Sequence, residues 1–325
     1  LIVTSGKLQY VPFNALPVTA RRADATGETT RSGMVPLLKY HEIETPPSMS
    51  VLAQLKNERP KGEEPKPVKT VAVIADPVYN ADDGRFSSVR LANSSSTKMP
   101  DLVRRAFKDG RVPRLIFSLR EADSILSVVP PGKGDKIVDF SANREFVTGP
   151  GRFSQYRIVH FATHGIIDYD SPELSGLLLS LYDDQHRPQA GLLQMHEIYN
   201  LKIPVELAVL SACGTGVGKE MKGEGFASLS RAFIYAGARR VVASLWEVAD
   251  SSTAQLMNTF YRKLLIDQLS PVAALRAAQL EMWNKNRNES PYGWAAFVTY
   301  GDPHFEQMKG KPGNSGAHVG GVHQP

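Results

Sequence analysis

Cysteine is almost missing from this chain, with one residue in 325, Cys213. A single thiol excludes an internal disulfide framework and fits a reducing compartment, so a cytoplasmic protein is expected. Long apolar runs are missing too. None approaches the roughly 20 residues that a membrane-spanning helix needs, so no membrane role is expected. The opening residues LIVTSGKLQY lack the basic start and long apolar stretch of a secretory signal. The chain opens on Leu1 instead of Met, as a piece of something longer would. Strong charge of one sign is also absent. The net charge is +5, and the basic residues are spread out, with short clusters at Arg104-Arg105 and Arg239-Arg240. A nucleic-acid surface would concentrate them, so nucleic acid is not an expected partner. What remains, 42% hydrophobic and 22% charged residues, is the composition of a globular protein of one large or two smaller domains.

Along the chain, two alternating apolar runs flank Ser5-Gly6-Lys7 and read as a β-hairpin. Residues 19–33 are polar and read as a loop, 48–57 as a short helix, and 57–70, rich in charge and proline, as a solvated linker. VAVIADP (71–77) reads as a buried strand, and 80–111 as a largely mobile insertion. From 114 to 129 a helical period returns, with Leu115, Leu119, Ala122, Ile125, Leu126 and Val129 on one face and Pro130-Pro131 as the stop.

The second half is denser. RIVHFA (157–162), PVELAVL (204–210), RVVASLW (240–246) and AAFVTYGD (295–302) read as strands, and 176–183 with 191–195 as a hairpin or edge pair. FASLSRAFIYAG (226–237) reads as a helix ending at Gly237. Asp250-Ser251-Ser252 caps a helix to about 266, and Ser270-Pro271 opens another to about 285. The Gly-rich tail 308–325 is expected to be disordered. Strands alternating with helices imply an α/β fold, a mostly parallel central sheet with helices on both faces, beside an N-terminal hairpin-containing subdomain. In such folds, sites collect at the C-terminal ends of the strands.

One loop invites two readings. SACGTGVGKE (211–220) follows an apolar strand and carries three glycines and a lysine, as a phosphate-binding loop would. The G-x-x-x-x-G-K-[ST] pattern, however, puts Cys213 where its first glycine belongs and Glu220 where its Mg²⁺-binding hydroxyl belongs. A carboxylate there would repel phosphate. The other reading makes Cys213 the functional atom, exposed by a turn that Gly214 and Gly216 permit. A cysteine nucleophile reacts as the thiolate and needs a base nearby. The best candidate is His164, which ends RIVHFA and precedes Gly165, forty-nine residues before Cys213. Caspases place their His about 50 residues before a Q-A-C-[RQG]-G cysteine. Here Ala212-Cys213-Gly214 match, and Ser211 and Thr215 depart.

Over nearly its whole length the sequence resembles the CHAT domain, a caspase-like cysteine protease family related to separase. The resemblance is carried by GKLQYVPFNALP (6–17), SLREADSI (118–125), YRIVHFATHG (156–165), PELSGLLLSL (172–181), LAVLSACGTGVGK (207–219), GEGFASLSRAFIYAGARRVVASLWEVAD (223–250) and PYGWAAFVTYGDP (291–303). It implies a caspase-like fold with a pseudo-caspase-like half over 1–135 and a catalytic half over 136–307. It implies a His164/Cys213 dyad, with an oxyanion hole from the backbone N–H groups of Gly165 and Cys213. The implied function is a cysteine endopeptidase cutting an extended segment of a protein partner, regulated by a partner or an upstream helical-repeat module. The alternative is a catalytically quiet CHAT-like interaction module.

Other residues carry two readings each. Asp168 and Asp170 follow His164 and suit a basic P1 side chain, or simply form turns. Glu224 lines the cleft or caps the next helix, and Asp250 binds substrate or serves as an N-cap. Ser244 and Trp246 lie where substrates of caspase-like folds pair as an extended strand, although Trp246 also suits the core. His160 reads as sheet packing. His196-Glu197 begins like a zinc-protease motif, but Asn200 stands where the second His belongs. Neither a metal nor a cofactor is expected.

Overall fold

The computed structural model describes residues 2–3, 8–9, 11–18, 21–23, 29–31, 35–46, 67–86, 99–107, 109–211, 214–217, 225–285 and 290–301. The apolar runs form the strands that the sequence implies. The strands, in chain order, are β1 (Pro17–Val18), β2 (Arg21–Ala23), β3 (Thr29–Arg31), β4 (Val35–Pro36), β5 (Lys69–Pro77), β6 (Gly134–Asp139), β7 (Tyr156–Ala162), β8 (His164–Asp168), β9 (Gly176–Leu178), β10 (Leu192–Gln194), β11 (Leu207–Leu210), β12 (Gly214–Val217), β13 (Arg240–Ser244) and β14 (Phe297–Gly301). Helices α1 (Asp101–Ala106), α2 (Ile116–Ser127), α3 (Arg144–Thr148), α4 (Met195–Ile198), α5 (Gly225–Tyr235), α6 (Asp250–Tyr261) and α7 (Pro271–Lys285) lie between them.

Six strands form the main sheet in the order β14-β13-β11-β7-β5-β6. All neighbours are parallel except β13 and β14. Successive side chains of a strand point to opposite faces, and both faces are covered, so the inner strands are predominantly apolar. Ile74, Val159, Phe161, Ala208, Leu210 and Val241 pack on one side with Leu229, Ala232 and Phe233 of α5. Val73, Ile158, Val209 and Val242 pack on the other with Ile125 of α2, Leu256 and Phe260 of α6 and Leu275 of α7. The α/β class with a mostly parallel sheet covered on both faces is therefore as expected. The boundary expected at 135/136 falls within β6, and β5 lies between β6 and β7, so both halves build one sheet.

A second sheet in the order β10-β9-β8-β12 continues from the first. β7 leads into β8 through Thr163 alone, and β11 leads toward β12 past Ser211. β7 pairs β11 in parallel, matching Phe161 to Leu210, and β8 pairs β12 in parallel, matching Gly165 to Gly214. The ribbon β9–β10 is the expected hairpin pair, with Leu178 opposite Leu192. It packs so closely that a Cβ at Gly176 would fall 2.2 Å from the Leu193 carbonyl oxygen.

Several expectations need correction. Leu8-Gln9 and Phe13–Ala15, on one flank of Ser5-Gly6-Lys7, are 3-10 turns, while Ile2 and Val3 are irregular, so no hairpin is seen there among the described residues. The antiparallel pair lies instead between β2 and β3, inside the stretch read as a polar loop. Local composition misleads there because short pairings need no apolar run. Lys69 and Thr70, assigned to the linker, begin β5 and pair with β7. The stretch 80–111 is not simply a mobile insertion. It contains α1, whose Leu102 and Val103 are buried with Phe107. The helix expected at 48–57, the linker from 57 to 66, residues 87–98 and the tail 308–325 lie outside the described residues.

The longer helices α2, α5, α6 and α7 lie where expected, whereas the short helices α3 and α4 were not expected. Gly237 follows α5 with φ of 113°, which a side chain would strain, and so ends it as expected. The helix opened at Asp250 runs to Tyr261 and continues as a π-helical turn, Arg262–Ile266. The N-terminal segment covers the edge strand β14: Thr45 N–H donates to the Thr299 carbonyl at 2.9 Å, and Glu44 forms a buried ion pair with Arg240 at 3.0 Å. Among the described residues, no helix is long and apolar enough to cross a membrane.

Candidate active site

His164 sits where two sheets meet. It does not end β7, as expected, but opens β8 one residue further on. The residue is 7% exposed. The ring is held between two aromatics, with Tyr79 at 5.2 Å and Phe107 at 5.3 Å between centroids. Its backbone N–H donates to Tyr79 Oη at 3.3 Å, and that hydroxyl donates to the Leu178 carbonyl at 3.4 Å. Burial pushes the Tyr79 hydroxyl far above its ordinary range, so it remains a donor.

The ring nitrogens have different duties. Nε2 lies 2.7 Å from the Pro113 carbonyl oxygen. A carbonyl only accepts, so Nε2 carries the proton and Nδ1 is the basic nitrogen of the neutral ring. Burial lowers the imidazole pKa below its ordinary 6.5, opposed by the Pro113 hydrogen bond. At neutral pH the ring is therefore an unprotonated base with a fixed tautomer.

Cys213 and Glu224 lie outside the described residues. The strands on either side of Cys213 are described. β11 ends beside β7, and β12 begins at Gly214, the residue after Cys213, in register with Gly165, the residue after His164. Two chain segments that leave adjacent strands thus come together again in the second sheet. The oxyanion candidate Gly165 pairs with Gly214 on one side and with Leu177 of β9 on the other.

The remaining candidates are committed to structural partners. Asp168 is buried and accepts from the Asp170 and Ser171 N–H groups, both at 3.0 Å, while Arg105 Nη2 donates to it at 2.6 Å. It forms a turn and an ion pair. Ser244 is buried at the end of β13, in register with Phe297. Trp246 is half-buried, stacks on Tyr292 and donates its indole N–H to the Tyr292 carbonyl at 2.9 Å. Asp250 is not the N-cap of its own helix, a position held by Ala249. Its carboxylate instead accepts from the Phe117 N–H at 2.7 Å and so caps α2, whose first residue is Ile116. Burial raises the Asp250 pKa, opposed by that bond.

Sequence reasoning missed Tyr79, Phe107 and Pro113. A usable signal existed for Tyr79, because it follows β5, and the exits of central strands are where sites collect. Pro113 offers only a backbone carbonyl, which no residue pattern marks. His160 is packed in the sheet as expected, with Nδ1 3.0 Å from Tyr261 Oη. Its Nε2 lies 2.8 Å from Glu121 Oε1 but off the line of a hydrogen bond. Glu197 of the suspected zinc motif closes a capping box at the start of α4 and pairs with Arg144.

The CHAT domain family model matches residues 1–302. This chain belongs to the CHAT domain family. Among curated proteins, this CHAT domain is similar to human tetratricopeptide repeat protein 28, at 30% identity over 145 residues, covering 45% of this chain and 5% of that protein. The mouse protein of the same name is 31% identical over 110 residues, covering 34% and 4%. The chain thus spans about a twentieth of the length of these relatives. Among solved structures, the CHAT domain is similar to separase in the Saccharomyces cerevisiae separase–securin complex, at 14% identity with a TM-score of 0.43, covering 80% of this chain and 14% of that one. It is also similar to the Arg-specific cysteine proteinase gingipain R, at 10% identity with a TM-score of 0.40, covering 74% and 48%.

Proposed function

We propose that this CHAT domain is a cysteine endopeptidase that cuts an extended segment of a protein partner, with His164 as base and Cys213 as nucleophile. The observation that carries the reading is the buried, tautomer-fixed His164 beside a parallel register that sets Gly165 opposite Gly214. A neutral imidazole with one hydrogen-bonded N–H is what a general base requires.

In this reading Nδ1 of His164 takes the Cys213 thiol proton. The thiolate adds to the scissile carbonyl carbon, and the electron pair of the C=O bond moves to oxygen. The backbone N–H groups of Gly165 and Cys213 stabilise that oxyanion. As the tetrahedral intermediate collapses, the C–N bond breaks and the imidazolium gives its proton to the leaving amine. A thioester acyl-enzyme remains. His164 then deprotonates a water that attacks the thioester, and the acid product leaves as the thiol is restored.

The substrate strand is proposed to lie by the end of β13 near Ser244 and Trp246, with Glu224 at the cleft. A basic P1 side chain would reach Asp168 only by displacing Arg105. Asp250, committed to α2, is the weakest of the substrate candidates. An upstream helical-repeat module is the proposed regulator, in keeping with the tetratricopeptide repeats in the name of the curated relative. Profiling a peptide library with the wild type and Cys213→Ala tests the proposal. Cleavage by the wild type alone supports it. Equal cleavage by both proteins would remove Cys213 as the nucleophile, and cleavage by neither would favour an interaction module without catalysis.

A further inference from the structure

The Pro113 carbonyl that fixes His164 belongs to an irregular segment in which Pro113 and Arg114 are exposed and Val112 is buried beside Phe107 and Ile166. The residues on either side of Pro113 are clamped. Asn80 bonds the Val112 backbone reciprocally: its Nδ2 donates to the Val112 carbonyl at 2.7 Å, and its Oδ1 accepts from the Val112 N–H at 3.1 Å. Asp76 holds Arg114 by a two-pronged fork, accepting from Nε at 2.8 Å and from Nη2 at 2.5 Å. Pro113 stands between the clamps. Both clamping side chains come from one place, the exit of β5, four residues apart.

That exit is itself fixed. Asp76 has a left-handed φ of 47°, a conformation that persists in a non-glycine residue only where its surroundings impose it. Here its N–H donates to Ser118 Oγ at 3.1 Å, and Arg85 Nη1 donates to its carbonyl at 2.6 Å. Arg85 also reaches the Asp83 and Asp139 carboxylates. The Asp76 carboxylate is fully buried, so its fork with Arg114 is shielded from water more than a surface pair would be.

We infer that Asp76, Arg114 and Asn80 are positioning residues that hold the Pro113 carbonyl on His164 Nε2 and so keep Nδ1 as the basic nitrogen. Among the described residues, the hydrogen-bond partner of the His164 ring is Pro113 and not one of these three side chains. The inference rests on the proposed dyad only for its catalytic consequence, since the tautomer can be read without catalysis.

The test uses the full chain and the variants Asn80→Ala, Arg114→Ala and Arg114→Lys. The ¹⁵N resonances of the His164 ring report which nitrogen carries the proton. Iodoacetamide, with Cys213 as the sole thiol in the chain, reports the thiolate as a function of pH. In the wild type, Nε2–H should dominate. In Asn80→Ala and Arg114→Ala the tautomers should mix, and alkylation at pH 7 should slow by about tenfold or more. Arg114→Lys keeps the charge but loses the fork, and should fall between. Folding is checked by the thermal transition, and Asn80→Ala and Arg114→Lys serve if Arg114→Ala does not fold. Unchanged His164 resonances in the folded variants would overturn the inference, as would lowered stability with an unaltered tautomer. A wild type that shows the Nε2–H tautomer but cuts no peptide would overturn the endopeptidase reading and leave the positioning intact.

Discussion

Gly165 and Gly214 are register partners across the parallel pair β8–β12, so the residues that follow His164 and Cys213 in the chain are neighbours in space. The arrangement follows from the main sheet. β7 and β11 are adjacent and parallel, so the segments leaving their C-terminal ends emerge side by side. Strand adjacency brings Gly165 and Gly214, forty-nine residues apart in the chain, into one register pair.

His164→Gln removes the base while keeping a polar side chain of similar reach. Peptide cleavage should fall by roughly 100-fold or more in kcat, as loss of general acid–base catalysis does. KM should change little. A variant that kept its kcat would remove His164 from the reaction.

The lowered pKa of His164 has a consequence for stability. The folded state resists protonation, while the unfolded chain binds a proton near the ordinary 6.5. The unfolded state therefore binds more protons just below that value, and stability rises with pH there. The stabilisation should be present above pH 6.5 and be lost as pH falls toward the folded pKa. Denaturant unfolding at pH 7.5, 6.5 and 5.5 measures it. His164→Gln should flatten this part of the profile. An equally steep profile in the variant would assign the dependence to other groups.

Asp250 separates a structural role from a substrate role. As the cap of α2, Asp250→Ala should lower stability by about 1–2 kcal/mol. Asp250→Asn keeps an acceptor and should recover most of that. Neither should change P1 preference in a peptide library. Altered cleavage preference at unchanged stability would return Asp250 to the substrate.

Asp168 is a similar case with stronger ties. Asp168→Ala would leave the Asp170 and Ser171 N–H groups and Arg105 without their shared acceptor. The expected cost is about 1–3 kcal/mol, read from denaturant midpoints. A selective loss of cleavage after basic residues, with stability retained, would instead make Asp168 a specificity determinant.

The apolar runs VAVIADP, RIVHFA, LAVL and RVVAS were legible as strands because residues covered on both faces are predominantly apolar. Helix ends were legible where a local signal existed, as at Gly237 and Ser270-Pro271. The stretch 80–111 was misread because its polar composition hid the short apolar face of α1, which packs against the second sheet and has no long period of its own. Lys69 and Thr70 were misread because a strand can begin in polar sequence when its neighbours supply the ladder.

The sequence alone determined five of the six strands of the main sheet, with β6 missed, together with the α/β class and His164 and Cys213 as candidate site residues. These are local properties of period, composition and motif. The tertiary structure decided which strands are neighbours, which nitrogen of His164 bears the proton, and which helix Asp250 caps. Each depends on a contact between distant residues: His164 and Pro113 are 51 positions apart, and Asp250 and Phe117 are 133 apart. Such contacts form because the order of strands in the sheet sets the spatial neighbours of each strand exit, and no local pattern encodes that order.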